Sequence, residues 1–396
     1  MFRLVIIGVL FFSLNANSQD TLNSSRVEER SYKLFQEKSW NELIAFGNSS
    51  LEKGFDYYYL RLRMGIAYFE KGNYRLAQKH FLKAYCFNSL EDFLQEYMYY
   101  CYIYNSQYYE AVKFSKNMSS ALKNRLKINK LPIIDYFVLE GGIKQPDKSD
   151  LFDVQYGQFS FGHCIGRNIS FFHALSVYDQ KMTSAKFNQK QYYLSVNIPI
   201  SKSWKLTPAF HFINSSIAYE ESVLLSPSSY INNYYVGSLL IKKSISKFDV
   251  TLGSTVANFD TTTQFQGNLS VSYYPFGNNK LFFTGLGIIQ NDKKSASYKY
   301  AFSPSATCTL FRKLTLSGSY LYNEARFITE QNGYIVNNSN DLTFKRVSFM
   351  GIYAFTSRVS FYLLYQLENK SQNNYQLKTT TNYSYNNLFG GLKFIL

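Results

Sequence analysis

The sequence predicts a chain of two parts: an N-terminal stack of α-helical hairpins, then an antiparallel transmembrane β-barrel of about 14 strands. Three observations predict it. Aromatic positions recur every 34 residues at Trp40, Tyr74 and Tyr108. Beyond Leu131 the apolar period changes from 3.6 to 2. The chain also holds 36 Tyr and 35 Phe, yet its mean hydropathy is only −0.23, so its apolar content is dispersed rather than gathered in long runs. A length of 396 residues is too great for one ordinary domain, and 46% apolar residues argue against disorder. Four Cys exclude a disulfide-dense scaffold. The one long apolar run is N-terminal, which excludes a helical membrane protein.

That run is the first element. Arg3 precedes an almost unbroken apolar stretch from Leu4 to Leu14, followed by small polar residues. Ala16-Asn17-Ser18 fits an A-x-A-like cleavage site, so residues 1–18 are expected to be a signal peptide and Gln19 the mature start. Eleven apolar residues are too few for a spanning helix. The rest of the chain is therefore expected in the periplasm and outer membrane.

Residues 19–130 are expected to form the helical part. Leu43, Ala77 and Ala111 follow Trp40, Tyr74 and Tyr108 by three residues and keep the same period. The copy from Tyr58 to Glu91 adds Gly65, Tyr68, Gly72, Phe81 and Ala84. Gly65 and Ala77 would let two helices approach, Tyr68, Tyr74 and Phe81 would fill the space beside them, and Gly72-Asn73 would supply the turn. Ser31 and Tyr99 stand where Gly65 stands in the middle copy, which marks the outer copies as atypical. These residues resemble the tetratricopeptide repeat, which implies a solenoid of three hairpins from about Asn23 to Arg125. The resemblance implies a concave groove for an extended peptide or protein partner. Its lining would include Tyr59, Arg63, Glu96, Tyr97, Tyr100 and Tyr104. The Lys/Asn set that some such domains use to hold a peptide carboxylate is missing there. Alternatively, these tyrosines pack against the barrel or the end of the stack.

Residues 131–396 are expected to form the barrel. Phe265, Gly267, Leu269, Val271 and Tyr273 alternate with polar residues, as do Leu314, Leu316, Gly318, Tyr320 and Tyr322, and Val359, Phe361, Leu363, Tyr365 and Leu367. The strands are expected near 134–145, 152–164, 168–180, 188–200, 204–217, 230–242, 247–258, 262–275, 280–291, 296–311, 313–328, 342–356, 358–369 and 380–396. Short links such as Ser201–Ser203 and Lys243–Ser246 mostly alternate with longer ones such as Ala218–Ser229 and Thr329–Asp341. That is the pattern of tight periplasmic turns and long surface loops.

The end of the chain, with Gly391, Phe394 and Leu396, resembles the C-terminal signal read by the outer-membrane assembly machinery. It ends in Leu where an aromatic residue is usual. Repeats joined to a barrel resemble the YaiO-like barrel proteins, the exopolysaccharide exporters and the surface-lipoprotein assembly modifiers. This shared architecture chooses no substrate.

No residue pattern for catalysis, a metal or a cofactor stands out. His80, His163, His173 and His211 form no H-E-x-x-H or H-x-H pair, and no CxxC, G-x-S-x-G or phosphate loop occurs. His211 is expected in the lumen with Lys205, Thr207 and Ala209, as an ordinary polar residue or as part of a barrel lipase. Cys86 and Cys101 are either bonded or two free thiols, and Cys164 and Cys308 are not paired. The net charge of +15 is spread over periplasmic turns at Lys202, Lys205, Lys242, Lys243, Lys247, Lys280, Arg312, Lys313 and Arg358. These serve solubility, or touch anionic headgroups or an acidic periplasmic partner. Nucleic acid is not an expected partner. The expected function is non-enzymatic. The repeats recruit a periplasmic partner or cargo, and the barrel, in contact with outer-membrane lipid, exports it or supports surface assembly. A scaffold with a plugged barrel is the alternative.

Overall fold

The computed structural model describes residues 23–128, 134–165, 169–201, 203–219, 229–259, 262–292, 297–311, 313–337, 341–374 and 379–396. The expected signal peptide, Lys202 and Arg312 lie outside the described residues. Helices α1 (Ser24–Gln36), α2 (Trp40–Glu52), α3 (Tyr58–Glu70), α4 (Tyr74–Phe87), α5 (Asp92–Tyr104) and α6 (Tyr108–Ser115) form three hairpins, and α7 (Ser120–Arg125) follows them. α1, α3 and α5 begin at residues 24, 58 and 92, and α2, α4 and α6 at 40, 74 and 108, so both sets keep the 34-residue interval.

The packing shows why the period matters. A Cβ on Gly65 would lie 2.4 Å from Cε1 of Phe81, so only glycine lets the fully buried Phe81 ring lie across α3. Phe81 then meets Tyr97 of the next hairpin at 5.4 Å, and Tyr74 meets Tyr104 at 4.6 Å. Leu43, Leu60, Met64, Ala67, Ala77, Leu94 and Met98 complete the core. Asn73 and Ser119 cap α4 and α7 by accepting the N–H groups of Leu76 and Leu122. Each hairpin turn needs one left-handed residue: Lys38 (φ 54), Gly72 (φ 72) and Ser106 (φ 57), again at 34-residue steps. Only the middle copy has the glycine this geometry favours.

His80 sits in the same core. It is stacked on Tyr68 at 5.2 Å, with Arg61 Nη1 3.3 Å from its Nδ1. Arginine can only donate, so Nδ1 accepts and the ring is neutral. Burial, with Arg61 and Lys79 nearby, holds its pKa down at about 3. The alternatives left open for the cysteines resolve as free thiols, Cys86 exposed and Cys101 buried. Burial raises the Cys101 thiol well above its ordinary value.

The barrel strands are β1 (Ile134–Pro146), β2 (Leu151–Ile165), β3 (Ile169–Met182), β4 (Ala185–Pro199), β5 (Trp204–Tyr219), β6 (Ser229–Ile245), β7 (Phe248–Phe259), β8 (Thr262–Tyr273), β9 (Leu281–Asp292), β10 (Lys299–Leu310) and β11 (Leu314–Asn323). After a two-stranded ribbon, β12 (Thr329–Glu330) and β13 (Ile335–Val336), come β14 (Leu342–Ala354), β15 (Val359–Asn374) and β16 (Thr379–Ile395). The 14 long strands make one closed antiparallel barrel, sealed by β1 and β16 from Tyr136↔Ile395 to Pro146↔Tyr385. Gly391 admits the Tyr362 ring, because a Cβ there would lie 2.4 Å from Cε1 of Tyr362. Phe394 stacks on Phe137 at 4.9 Å, and the Leu396 N–H donates to the Asp135 carbonyl. The three residues of the expected C-terminal signal thus also close the barrel.

One expected strand is corrected. The segment 313–328 is not a single strand, nor are residues 329–337 of the expected Thr329–Asp341 loop an outward surface loop: β11 ends at Asn323 and the chain turns into the lumen. The alternating residues from Leu314 to Tyr322 do form a strand, paired with β10 and β14, while Ala325 and Ile328 beyond it are buried inside the barrel.

The burial pattern is inverted relative to a water-soluble protein. Ser160, Gln189, Thr255, Gln266, Thr343 and Asn387 are buried, while Leu139, Leu175, Leu252, Leu269, Phe349 and Leu363 stand exposed around the outside. An apolar surface encircling the whole sheet far exceeds what a soluble monomer presents. In a bilayer it is the lipid face, and the polar residues face the lumen.

Two stability outcomes follow. Replacing Lys38 by Gly removes a strained turn residue and is expected to stabilise the helical domain by about 1 kcal/mol, measured by denaturant unfolding. The neutral His80 contribution is intact above about pH 6.5 and is lost progressively as pH falls towards about 3, because the unfolded ring binds a proton that the folded one refuses. His80→Gln is expected to flatten the slope of helical stability against pH in that window.

Candidate functional site at the lumen and the helical mouth

The segment 324–337 enters the barrel from the end opposite the helical domain. Gln266 treats it as a strand would: its Nε2 donates to the Thr329 carbonyl at 2.7 Å, and its Oε1 accepts the Thr329 N–H at 3.1 Å. At the tip, the Ser238 and Tyr193 hydroxyls donate to the Asn332 carbonyl at 2.7 and 3.3 Å. Asn332 Nδ2 donates to the Thr207 carbonyl at 3.1 Å, beside Pro208, which lacks an N–H for the β4–β5 ladder. His211 Nδ1 donates to the Gly333 carbonyl at 2.7 Å. Gly333 adopts φ 75, and Tyr334 reaches across to Gln158 at 2.8 Å.

Apolar contacts back this up, with Phe327 stacked on Phe259 at 5.4 Å and Ile328 packed among Ile288, Ala301 and Leu321. Arg346 Nη2 lies 2.6 Å from Glu330 of the inserted segment, and Glu368 bonds Lys144 at 3.2 Å beside it. The inserted hairpin therefore touches wall strands from β2 round to β14 and occupies the lumen. His211, expected in the lumen, is there with 2% exposure, and its Nε2 lies 3.1 Å from Gln191. One partner is a carbonyl of the inserted segment and the other an amide of the barrel wall, and neither is a nucleophile or an acid, so this environment gives the lipase reading no support.

The other mouth carries the helical domain. Arg75 at the start of α4 makes a two-point bond to Asp249 of β7, at 2.8 and 3.1 Å. Both are nearly buried, with 8% and 3% side-chain exposure. Lys242 and the Tyr274 hydroxyl also bond Asp249, at 2.8 and 3.1 Å, and the Arg75 guanidinium lies 3.5 Å from the Tyr274 ring centre. Backbone joins backbone as well, since the Arg75 N–H donates to the Gly277 carbonyl at 3.0 Å. Gly277 has φ 64, and a Cβ there would collide with Asn73. Asn278 donates to the Gly72 carbonyl, Asn279 to the Ser106 hydroxyl, and Lys205 pairs with Glu110 at 3.5 Å. Of the turn cations, Lys205 and Lys242 thus serve this junction within the chain. A cavity of about 410 Å³ lies between the docked helices and the barrel wall.

The expected groove residues separate into two groups. Arg63 is buried, tied to Glu28 at 2.6 Å and Ser31 at 2.8 Å, so it braces α1 against α3 and is not free for a partner. The Arg63 guanidinium holds the Glu28 carboxyl below its usual range. Glu96 pairs with Arg125 at 2.5 Å, and Tyr97 packs among Phe69, Phe81 and Phe93. Tyr100 stacks on Tyr104 at 6.0 Å. Tyr59 and Tyr104 remain exposed, as do Tyr32 and Phe93 on the same set of helices. Phe93 lies 34 residues after Tyr59, a signal that could have found it.

An inverted, closed antiparallel barrel with a filled polar lumen defines a transmembrane β-barrel, here with a helical domain locked on one mouth. No protein-family model matches the chain, and no curated protein matches it. Solved barrels are similar to it. A mutant of the TodX monoaromatic hydrocarbon channel is 10% identical (TM-score 0.48, 67% of this chain and 91% of that one). The Pseudomonas putida toluene transporter TodX is 8% identical (TM-score 0.46, 66% and 90%). A Pseudomonas aeruginosa FadL homologue is 8% identical (TM-score 0.44, 66% and 90%).

Asp249→Ala leaves Arg75 buried without its partner and is expected to weaken docking by about 3–5 kcal/mol. Hydrogen exchange at the Arg75 amide, which is bonded to the barrel turn, should accelerate by about two to four orders of magnitude, while that of the α3 core amides stays unchanged.

Proposed function

We propose that the protein is a non-enzymatic outer-membrane anchor whose closed barrel holds a periplasmic recruitment module in fixed orientation for surface assembly or export. Residues 1–18 direct secretion, 19–130 form the recruitment module, and 131–396 the barrel. Gly391, Phe394 and Leu396 present the signal for the assembly machinery. The inserted segment 324–337, which occupies the lumen, carries this reading, because a barrel occupied by its own chain serves best as an anchor. The helical module has the 34-residue spacing of tetratricopeptide repeats, and its exposed aromatics Tyr59, Phe93 and Tyr104 offer a surface for an extended periplasmic partner. Its fixed attachment through Arg75 suits presentation of that partner at one mouth of the barrel.

A gated conduit is the second reading. The specific observation in its favour is that the plug is held in part by polar contacts such as Arg346 to Glu330 and His211 to Gly333, which can exchange for water.

Planar-bilayer recording separates the two. The full chain is expected to show no sustained conductance, and replacement of residues 326–336 by a short Gly-Ser link should produce stable open channels. Frequent large openings of the unmodified protein, increased again by Arg346→Ala, would favour the conduit instead.

A further inference from the structure

We propose that the lipid-facing rim at the helical mouth binds anionic phospholipid headgroups of the periplasmic leaflet, with Trp204 and Lys243 as a defined headgroup site. The two mouths differ in charge. By sequence, the six links at the helical mouth (166–168, 200–203, 246–247, 274–280, 311–313 and 355–358) carry seven Lys or Arg and no Asp or Glu. The seven links at the other mouth, from 147–150 to 375–378, mix eight acidic residues with five basic ones. A mixed mouth suits water, whereas a rim of one sign attracts a surface of the other.

The chain itself leaves several of these charges unneutralised. Lys205 and Lys242 turn inward to Glu110 and Asp249. Lys243 follows Lys242 on β6, so the period of two turns it outward. Among the described residues, Lys243, Lys280, Lys313 and Arg358 have no carboxylate partner. Lys243 is paired across the sheet with Trp204, and its ammonium lies 4.7 Å from the exposed Trp204 ring. Neither that ammonium nor the indole N–H has an acceptor among the described residues. Two adjacent donors without an acceptor call for an anion, and one phosphate group can accept from both.

The neighbours of the pair select a lipid as the source of that phosphate. Leu239 and Ile241 precede Lys243 on the outward face of β6, and both are exposed. One strand thus presents two aliphatic side chains and then an ammonium, the order of an acyl chain and its phosphate. A soluble acidic protein would match the charge but not the aliphatic residues beside it. A zwitterionic phospholipid brings its own ammonium against Lys243, so a lipid of net negative charge is preferred. The site lies on the outer wall and stands whether or not the lumen conducts. It rests on a periplasmic helical mouth only for which leaflet supplies the lipid.

Trp204 supplies its own reporter, since the chain has only 2 Trp and the other, Trp40, begins α2 in the helical domain. The full chain is reconstituted in phosphatidylethanolamine vesicles. An equal fraction of the lipid is then replaced by brominated phosphatidylglycerol or by brominated phosphatidylethanolamine, either of which quenches an adjacent indole. Brominated phosphatidylglycerol is expected to quench Trp204 more, with a relative binding constant about five- to thirtyfold higher, and salt should shrink that preference. Lys243→Gln keeps the reporter and should lower the preference about fivefold, whereas Lys243→Arg should retain it. Lys313→Gln, on the distant β10–β11 link, should leave it unchanged. Equal quenching by the two lipids overturns the proposal and leaves the rim cations to solubility or to an acidic protein. A preference untouched by Lys243→Gln overturns it too, as does one lowered equally by Lys313→Gln, which would mark a diffuse field rather than a site.

Discussion

In a hydrocarbon layer no water is present to satisfy backbone N–H and C=O groups, and that requirement shapes everything else in this chain. It forces 14 strands to close on themselves, with β1 bonded to β16, so that no edge is left. Closure encloses a lumen, and with apolar residues pointing to lipid the alternate residues must point inward and be polar. A lumen lined with Gln, Ser, Thr and charged groups then needs partners of its own. Much of that demand is met by the chain itself, through the backbone of residues 324–337 and the Arg346, Glu330, Glu368 and Lys144 cluster.

The same logic of satisfied polar groups extends to the mouth. Arg75 and Asp249 would be costly alone, since each is almost fully buried, but together with Lys242 and Tyr274 they form a bonded set that ties helix to strand. The tie is reinforced by shape. Gly277 is the residue whose missing side chain lets Asn73 close in, and its carbonyl takes the Arg75 amide. A helical domain fixed in this way moves with the barrel and presents its exposed aromatic face in one orientation. Among the described residues, the docking contacts gather at and just beyond the turns of the second and third hairpins, around Gly72 and Ser106, and Tyr59 and Phe93 stay exposed.

Much of this architecture could be read from spacing. The helix starts at 40, 74 and 108 fall on the aromatic residues that marked the repeat, and the Gly65–Phe81 contact is the one the small residue implied. Fourteen alternating segments became 14 barrel strands, because period-2 patterning states which face each residue must take. The function-bearing details were less legible. Arg63 looked like a groove residue, since nothing local announces that Glu28, 35 residues away, will neutralise it. Residues 324–328 looked like the end of a strand and residues 329–337 like a surface loop, because a polar segment suits water and a polar lumen equally well.

Local periodicity determined, from the sequence alone, that helices come first, that strands follow, and which side chains face lipid. These are properties of backbone geometry and hydrophobic burial over a few residues. Tertiary structure alone decided that residues 324–337 fold into the barrel and that Arg75 meets Asp249 across 174 residues of chain. Such pairings depend on polar partners brought together only after the barrel closes, and a hydrogen bond between distant residues leaves no period in the sequence to read.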